Sequence, residues 1–171
     1  MAKPPEFCPS GQASGLDPIV GAAPRVLILG SFPGRKSLLH SEYYGNPQNQ
    51  FWKIMELLLG IDAGLPYATR VARIAENHIA LWDVVRSCSR PGSADSRIRD
   101  VVPNGIREFI SGHPSICLIA LNGSTAARLY GRTFRDIPVP CTILPSTSPA
   151  NARMRLDEKA ARWQIVKNEC G

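Results

Sequence analysis

Short apolar runs alternate along the chain with segments of helical periodicity. The runs are continuous, apolar and bounded by turn residues, which predicts buried strands. Between and after them, apolar side chains recur every three or four positions, which predicts helices. The predicted strands are 25–30, 78–82, 116–121 and 139–144. The predicted helices are 49–59, 68–76, 98–110, 124–130 and 156–166.

The alternation of strands and helices predicts an α/β fold. Right-handed crossovers would give a mainly parallel sheet with helices on both faces. Residues 1–24 are rich in Pro, Gly and Ser without any period, which predicts an irregular N-terminal lead-in. Residues 25–171 are expected to form a single domain. In such folds ligands bind beyond the carboxyl ends of the strands, so the loops at those ends are the place to look.

Composition limits the class of protein further. The chain has 171 residues, of which 44% are hydrophobic and 20% charged, and no apolar run is long enough to span a membrane. The N-terminus carries no apolar signal segment, and the five scattered cysteines include no Cys-x-x-Cys pair. These features favour a cytoplasmic protein. The whole net charge of +6 comes from residues 86–171, and 15 of the 20 basic residues are Arg, which indicates a polyanionic partner weakly.

The loops after the predicted strands lack the motifs of several enzyme classes. Neither a phosphate-binding glycine loop nor a dinucleotide-binding fingerprint is present. No zinc-ligand pattern and no nucleophile-elbow motif of a serine hydrolase occurs. We therefore expect no metal and no cofactor.

Taken together, the loop motifs resemble those of a known family. The chain carries GSFPG at 30–34, YYGNPQNQFW at 43–52, LNG at 121–123 and LPSTSPANA at 144–152. In this order and spacing they resemble the uracil-DNA glycosylase superfamily, and within it the hypoxanthine-DNA (deoxyinosine) glycosylase branch, near the mismatch-specific uracil-DNA glycosylases. The resemblance covers residues 25–163. It implies a three-layer α/β/α sandwich around a four-stranded, mainly parallel sheet.

The resemblance also implies an activity. A DNA repair enzyme of this family flips a deaminated base out of DNA and hydrolyses its N-glycosidic bond, without metal or cofactor. We expect hypoxanthine as the base, with uracil and xanthine as alternatives, and a monomeric, monofunctional enzyme that leaves an abasic site. The partner is then DNA that contains deaminated bases, and no membrane is involved.

Four side chains are candidates for the chemistry that the resemblance implies. The first motif of the superfamily often carries an Asp or Asn that orients water, whereas this chain has Ser31, Phe32 and Pro33 there. Asn49 is the replacement candidate, with its amide oxygen accepting from water while the NH₂ is held by backbone; the alternative is a helix cap. Candidates for base binding are Phe32 and Tyr44, by stacking, and Asn122, by reading the Watson–Crick edge. Their alternatives are core packing and a strand-to-helix cap.

Two loops are expected to frame the flipped nucleotide. The first-motif loop contributes Gly30, Ser31, Pro33 and Gly34. The late loop is expected to bind DNA phosphate or wedge the duplex, and it contributes Pro145, Ser146, Thr147 and Ser148. Ordinary Ser-Pro turn chemistry is the alternative for the late loop. Leu144 stands where many relatives have His or Asn, so help for the leaving base must come from elsewhere.

The role of Asp83 and the activity of the whole domain each have more than one interpretation. Asp83, after the second predicted strand, either orients water or caps the next loop, and capping is favoured. The whole domain, lacking the first-motif acid, is either an enzyme or a non-catalytic module that binds damaged DNA. A hydrolase of small nucleosides is a third, weaker hypothesis.

Overall fold

The computed structural model describes residues 12–91 and 94–171. Its centre is a four-stranded parallel sheet in the order β3-β2-β6-β7. A smaller antiparallel sheet, in the order β1-β4-β5, lies beside it. The strands are β1 Gln12–Ser14, β2 Val26–Gly30, β3 Ile79–Asp83, β4 Val85–Ser89, β5 Arg99–Pro103, β6 Leu118–Asn122 and β7 Cys141–Leu144. The helices are α1 Arg35–His40, α2 Phe51–Leu59, α3 Tyr67–Glu76, α4 Ile106–Gly112, α5 Ser124–Thr133 and α6 Leu156–Cys170, with a 3₁₀ turn at Asp95–Arg97.

The central strand β2 is buried along its whole length because helices cover both faces of the sheet. Successive side chains of a strand point to opposite faces. Val26 and Ile28 therefore join the core under α2 and α6, which contains Phe51 and Trp163. Leu27 and Leu29 join the opposite core, which contains Leu129 of α5 and Ile106 of α4. The predicted three-layer α/β/α sandwich around a four-stranded parallel sheet is confirmed.

The four predicted strands and most of the predicted helices are found within a few residues of their expected places. Helix α2 begins at Phe51, two residues later than predicted, because Asn49 and Gln50 form the turn before it. Helix α6 continues to Cys170, beyond the predicted 166. None of the helices within the described residues is long and apolar enough to cross a membrane.

The prediction of a helix over 98–110 is wrong in its first half. Residues Arg99–Pro103 form strand β5, which pairs antiparallel with β4, and only Ile106–Gly112 is helical. Pro103 explains the difference, because proline lacks the N–H that a helix interior needs and clashes with the preceding turn. At the end of an edge strand the same residue is tolerated.

Part of the predicted irregular lead-in is ordered. Gln12–Ser14 forms strand β1, which pairs with residues 87–89 of β4, and Ile19 forms an isolated bridge to Leu81 of the central sheet. The prediction of irregular structure is therefore wrong for residues 12–14, and residues 1–11 lie outside the described part. The small sheet matters for function because β4 follows β3 after one residue, Val84, and leads to Arg90 and Asp95.

Candidate active site

A cavity of about 310 Å³ opens at the carboxyl ends of the parallel strands. This is the lower end of the usual range for small-molecule sites. Its lining comes from the loop after β2, the loop before α2, the ends of β3 and β6, the segment after β4 and the loop after β7. The position agrees with the rule that parallel α/β sheets bind ligands beyond their carboxyl ends. Most of the predicted site residues line this cavity, including Asn49, Tyr44 and Asn122.

Asn49 stands in the turn before α2. Its Oδ1 accepts a hydrogen bond of 2.9 Å from the backbone N–H of Phe51, the first helical residue. The capping alternative thus describes a contact that Asn49 does make. The expected orientation is reversed, because the oxygen and not the NH₂ is held by backbone. No described residue accepts from the NH₂ group, and the side chain lines the cavity at partial exposure. Oδ1 keeps a second lone pair with which to accept from water.

Tyr44 forms an aromatic wall of the cavity. Its ring stacks on Phe51, with 3.9 Å between centroids and 18° between planes. Its backbone is left-handed, with φ of 56°, an uncommon conformation for a residue with a side chain. Burial raises the pKa of its phenol, and the negative charge of Asp83 adds to the shift, so the hydroxyl stays protonated. The ring is therefore a neutral, fixed platform.

Asn122 connects three segments of the site. Its Nδ2 donates to the Tyr44 hydroxyl at 3.2 Å and to Thr147 Oγ1 at 3.0 Å. Its Oδ1 accepts from the Thr147 backbone N–H at 3.0 Å. Both donor hydrogens of the carboxamide are therefore used within the protein. The contacts make Asn122 a clamp that holds the aromatic wall against the late loop, and base reading by Asn122 stays a prediction.

Phe32 lines the cavity, but most of its ring is buried in the core. Its ring is 5% exposed, packs with the cluster beneath α4 and α5, and carries the Arg90 guanidinium 5.0 Å from its centroid. Arg90 also donates from Nη2 to the Pro33 carbonyl at 2.6 Å. These contacts match the alternative of core packing. They leave Tyr44 as the aromatic side chain better placed to stack on a base.

The first-motif loop forms one side of the cavity through its backbone. Gly30, Ser31, Pro33 and Gly34 all line it. The Ser31 hydroxyl donates to Asp95 Oδ2 at 2.7 Å, which ties this loop to the segment after β4. Asp83 approaches Gly30 so closely that a Cβ built on the glycine would collide with Oδ1 of the acid, which favours glycine at this position.

The late loop is held in place by hydrogen bonds within itself and to neighbouring segments. Thr147 is fully buried, and its backbone carbonyl accepts from the Gln50 N–H at 2.9 Å. A buried hydroxyl that already binds Asn122 does not suit phosphate contact, so Thr147 serves instead to fix the loop. Ser146 Oγ accepts from the Ser148 N–H, and Ser148 Oγ accepts from the Ala150 N–H, both at 3.2 Å. The turn chemistry named as the alternative is therefore present, and phosphate contact by the two serines stays a prediction.

Pro145 lies behind this loop. Its carbonyl accepts from Trp163 Nε1 of α6 at 3.0 Å, which places the residue against the core helix. It is not part of the cavity lining. The next residue, Ser146, sits so close to Gly123 that a Cβ at the glycine would lie 2.8 Å from the serine Cβ, and Gly123 has φ of 96°. The turn after β6 therefore needs glycine for two reasons.

Asp83 is the functional candidate that the sequence analysis undervalued. It ends β3 opposite Gly30, is 5% exposed and lines the cavity. Its Oδ2 is buried, and no described residue donates a hydrogen bond to it. Burial raises the pKa of the carboxyl group to about 7, assisted by the negative charge of Asp95 and opposed by Arg90. The favoured capping role is wrong, because none of the described backbone amides binds the carboxyl. An acid directly after a buried strand was the available signal.

Metal chemistry finds no support in this geometry. Within residues 12–91 and 94–171 there is no group of three His, Cys, Asp or Glu side chains that could hold a metal ion. Arg90 lies close to the two acids instead: its Nη1 is 3.8 Å from Asp95 Oδ1, and its positive charge lowers the pKa of Asp83. The expectation of no metal and no cofactor stays a prediction.

Comparison with known proteins identifies the family. The model of the Uracil DNA glycosylase superfamily matches residues 18–167. The chain belongs to this superfamily. A Hypoxanthine DNA glycosylase of Methanosarcina acetivorans is 33% identical over 156 residues, covering 89% of this chain and 96% of the relative. One from Methanosarcina barkeri is 32% identical over 154 residues, covering 90% and 97%.

A solved structure agrees with the sequence relatives. A solution NMR structure of a Methanosarcina acetivorans protein, provisionally named a uracil DNA glycosylase, superposes with a TM-score of 0.79 at 32% identity. The match covers 91% of this chain and 99% of that protein. The superfamily and branch expected from the loop motifs are therefore confirmed.

Proposed function

We propose that this protein is a monofunctional DNA glycosylase that removes hypoxanthine from DNA and leaves an abasic site. The observation that carries the proposal is the cavity at the strand ends, built from the superfamily's motif loops in a chain whose relatives are named hypoxanthine DNA glycosylases. Hydrolysis of the bond requires a pocket for the base, a positioned water and stabilisation of a cationic sugar. Among the residues that line the cavity, Tyr44 can hold the base and Asn49 can position the water.

The base is proposed to stack on Tyr44. The ring is immobilised by Phe51 on one side and by Asn122 at its hydroxyl, so stacking orders no further side chain. Base–aromatic stacking contributes about 1–3 kcal/mol in single-strand complexes, which helps offset the cost of flipping the base. Hypoxanthine formed by deamination of adenine stands opposite thymine as a mismatch, which lowers that cost.

Asn49 is proposed to position the attacking water. It lies at the partly exposed side of the cavity, where the sugar of a flipped nucleotide would stand, and its Oδ1 is fixed by the Phe51 N–H. A held carboxamide orients water without becoming charged. The same side chain thus begins the helix and serves the reaction.

A monofunctional enzyme is proposed because the described cavity lining contains no lysine. A lyase step needs an amine that attacks the sugar and forms a Schiff base. Lys159 is buried at 1% exposure and donates to Gln50 Oε1 and the Asn151 carbonyl, both at 2.8 Å. Its amine is committed to the scaffold. One chain forms the whole cavity, which fits action as a monomer.

The test uses duplexes with a single deoxyinosine, deoxyuridine or deoxyxanthosine opposite each normal base. The protein is incubated with each, and abasic sites are revealed by alkali. We expect cleavage after alkali at deoxyinosine, no cleavage without alkali, and no covalent adduct on borohydride treatment. Matched duplexes with deoxyadenosine are the control. Salt-dependent binding of the deoxyinosine duplex without base release would show the non-catalytic module instead. Turnover of free inosine without DNA would show a nucleoside hydrolase.

A further inference from the structure

The carboxyl of Asp83 lies on the more buried side of the cavity. Its carboxyl stands at the end of β3, beside Gly30 at the end of β2, while Asn49 occupies the more exposed side. In a flipped nucleotide the base is the part farthest from the phosphate backbone, so the buried side receives the base. Oδ2 is buried and takes no hydrogen bond from any residue in the described ranges.

An unpartnered buried carboxyl is costly unless it is neutral or meets a ligand. The charged groups around Asp83 influence whether its carboxyl is protonated or ionised. Arg90 and Asp95 act on it electrostatically from the segment after β4. The phenols of Tyr43 and Tyr44 do so from the loop before α2, where the Tyr43 hydroxyl donates to the backbone carbonyls of residues 16 and 17. Asp95 favours the neutral acid and Arg90 the carboxylate, and burial decides for the acid, with a pKa of about 7. Bound DNA would add phosphate charge and exclude water, both of which favour the neutral acid further.

A neutral acid on the buried side fits a need that the rest of the cavity leaves unmet. A departing purine carries the electron pair of the broken bond and leaves more readily when protonated. Leu144 takes the place where many relatives have His or Asn, and it is buried and apolar. The histidines of the chain, all within the described residues, do not line the cavity. The carboxyl groups of two described residues do line it. Asp95 accepts from the Ser31 hydroxyl and pairs with Arg90, whereas the buried carboxyl of Asp83 is matched to proton transfer near neutral pH.

We infer that Asp83 is the general acid of the reaction, contacting the flipped base and protonating it as it leaves. This role rests on the proposed glycosylase function. The bond between C1′ and the base nitrogen breaks, and its electron pair goes to the base, which takes the proton of Asp83 and departs neutral. Water forms the new bond to C1′, and its proton returns to the Asp83 carboxylate directly or through solvent. The acid is thereby restored for the next turnover.

The first test measures single-turnover release from deoxyinosine duplex between pH 5 and pH 9. For the wild type we expect the rate to fall as the pH rises through the Asp83 titration. Asp83→Asn should be at least about 100-fold slower at pH 6, in the range of general acid catalysis, and independent of pH. Asp95→Asn removes a negative charge beside Asp83 and should move the fall to lower pH. Glu56→Gln, an exposed carboxyl outside the cavity, is the control and should match the wild type.

The second test separates proton donation from any structural or base-reading role. In 7-methyl-2′-deoxyinosine the imidazole ring already carries a positive charge, so the base can leave without an added proton. After subtraction of spontaneous depurination, Asp83→Asn should release this base within about threefold of the wild-type rate. Loss on both substrates, or a wild-type rate that rises with pH, overturns the acid role. If Asp83→Asn releases hypoxanthine at the wild-type rate, the acid role is also overturned, but the glycosylase function stands. Failure of the wild type itself to release hypoxanthine overturns the proposed function, and this role with it.

Discussion

Gly30 and Asp83 face each other across the paired ends of β2 and β3, and the carboxyl of Asp83 occupies the space that a Cβ on residue 30 would need. The two residues therefore form one unit. The glycine lacks a side chain so that the acid from the neighbouring strand can reach the cavity. The first-motif loop itself, residues 30–34, supplies no carboxyl or carboxamide.

Gly30→Ala should displace the carboxyl of Asp83 and weaken the enzyme. The added methyl group forces a shift in a packed strand end, which typically costs about 1–3 kcal/mol. We expect a lower melting temperature and at least about a tenfold slower release of hypoxanthine. The matched control is Gly131→Ala in α5, where a Cβ meets nothing within 4 Å. It should leave the release of hypoxanthine unchanged and stabilise the helix by about 0.5–1 kcal/mol. A fully active Gly30→Ala protein would contradict the coupling of the two residues.

The raised pKa of Asp83 also predicts how stability depends on pH. The folded carboxyl has a pKa of about 7 against 3.8 in the unfolded chain. Between these values the folded state binds the proton and the unfolded state does not, so the free energy of unfolding falls as pH rises from 4 to 7. At about 1.4 kcal/mol per pH unit, the loss is at most about 4 kcal/mol.

Denaturant unfolding at a series of pH values checks this dependence. Asp83→Asn removes the titrating group, so its stability should decline less than that of the wild type between pH 5 and pH 8. The two curves should therefore converge or cross as the pH rises. Parallel curves for both proteins would show that Asp83 titrates alike in the folded and unfolded states.

The two roles of Asn49 can be separated by substitution. Asn49→Ala removes both the acceptor for the Phe51 N–H and the cavity-facing carboxamide, so it should lose about 1 kcal/mol of stability together with activity. Asn49→Asp keeps an acceptor for the helix and should restore most of the stability. We expect release of hypoxanthine to fall about 100-fold or more in Asn49→Ala. Asn168→Ala, an exposed residue in α6, is the control for both measurements.

Lys159 fixes the late loop to the helix that begins at Phe51. Its buried amine bridges Gln50 and Asn151, so Lys159→Met leaves two partly buried acceptors without their donor. The expected cost is about 1–3 kcal/mol in the free energy of unfolding. Lys167→Met, at an exposed position of α6, the helix that also contains Lys159, should change the free energy of unfolding little. An equal effect of the two substitutions would show that the bridge contributes nothing.

The sequence predicted the central sheet well because its strands are continuous apolar runs. The five residues of β2 are all buried, as a strand covered on both faces requires, and the run is too short for a typical buried helix. The small sheet was missed for the opposite reason. Strand β5 exposes Arg99, Asp100, Val101 and Val102, so its pairing with β4 leaves no apolar pattern to detect.

The site was predicted in its location but less well in its contacts. The motif loops do meet at one cavity, as expected from strand topology. Asn122 holds Tyr44 against Thr147 through hydrogen bonds between segments far apart in the sequence. The spacing of motifs along the chain does not predict such contacts. Asp83 was undervalued because an acid after a strand is common, and only its burial distinguishes it from a surface cap.

The small antiparallel sheet has a consequence for the order in which the molecule opens. Strands β1 and β5 are largely exposed, whereas β2 is fully buried, so their amides should exchange with deuterium sooner than those of β2. Arg90 and Asp95 lie on the connection between β4 and β5. A local fluctuation of this sheet would loosen one side of the cavity while the four-stranded layer stays intact. We therefore expect the small sheet to be a unit of lower stability beside the cavity.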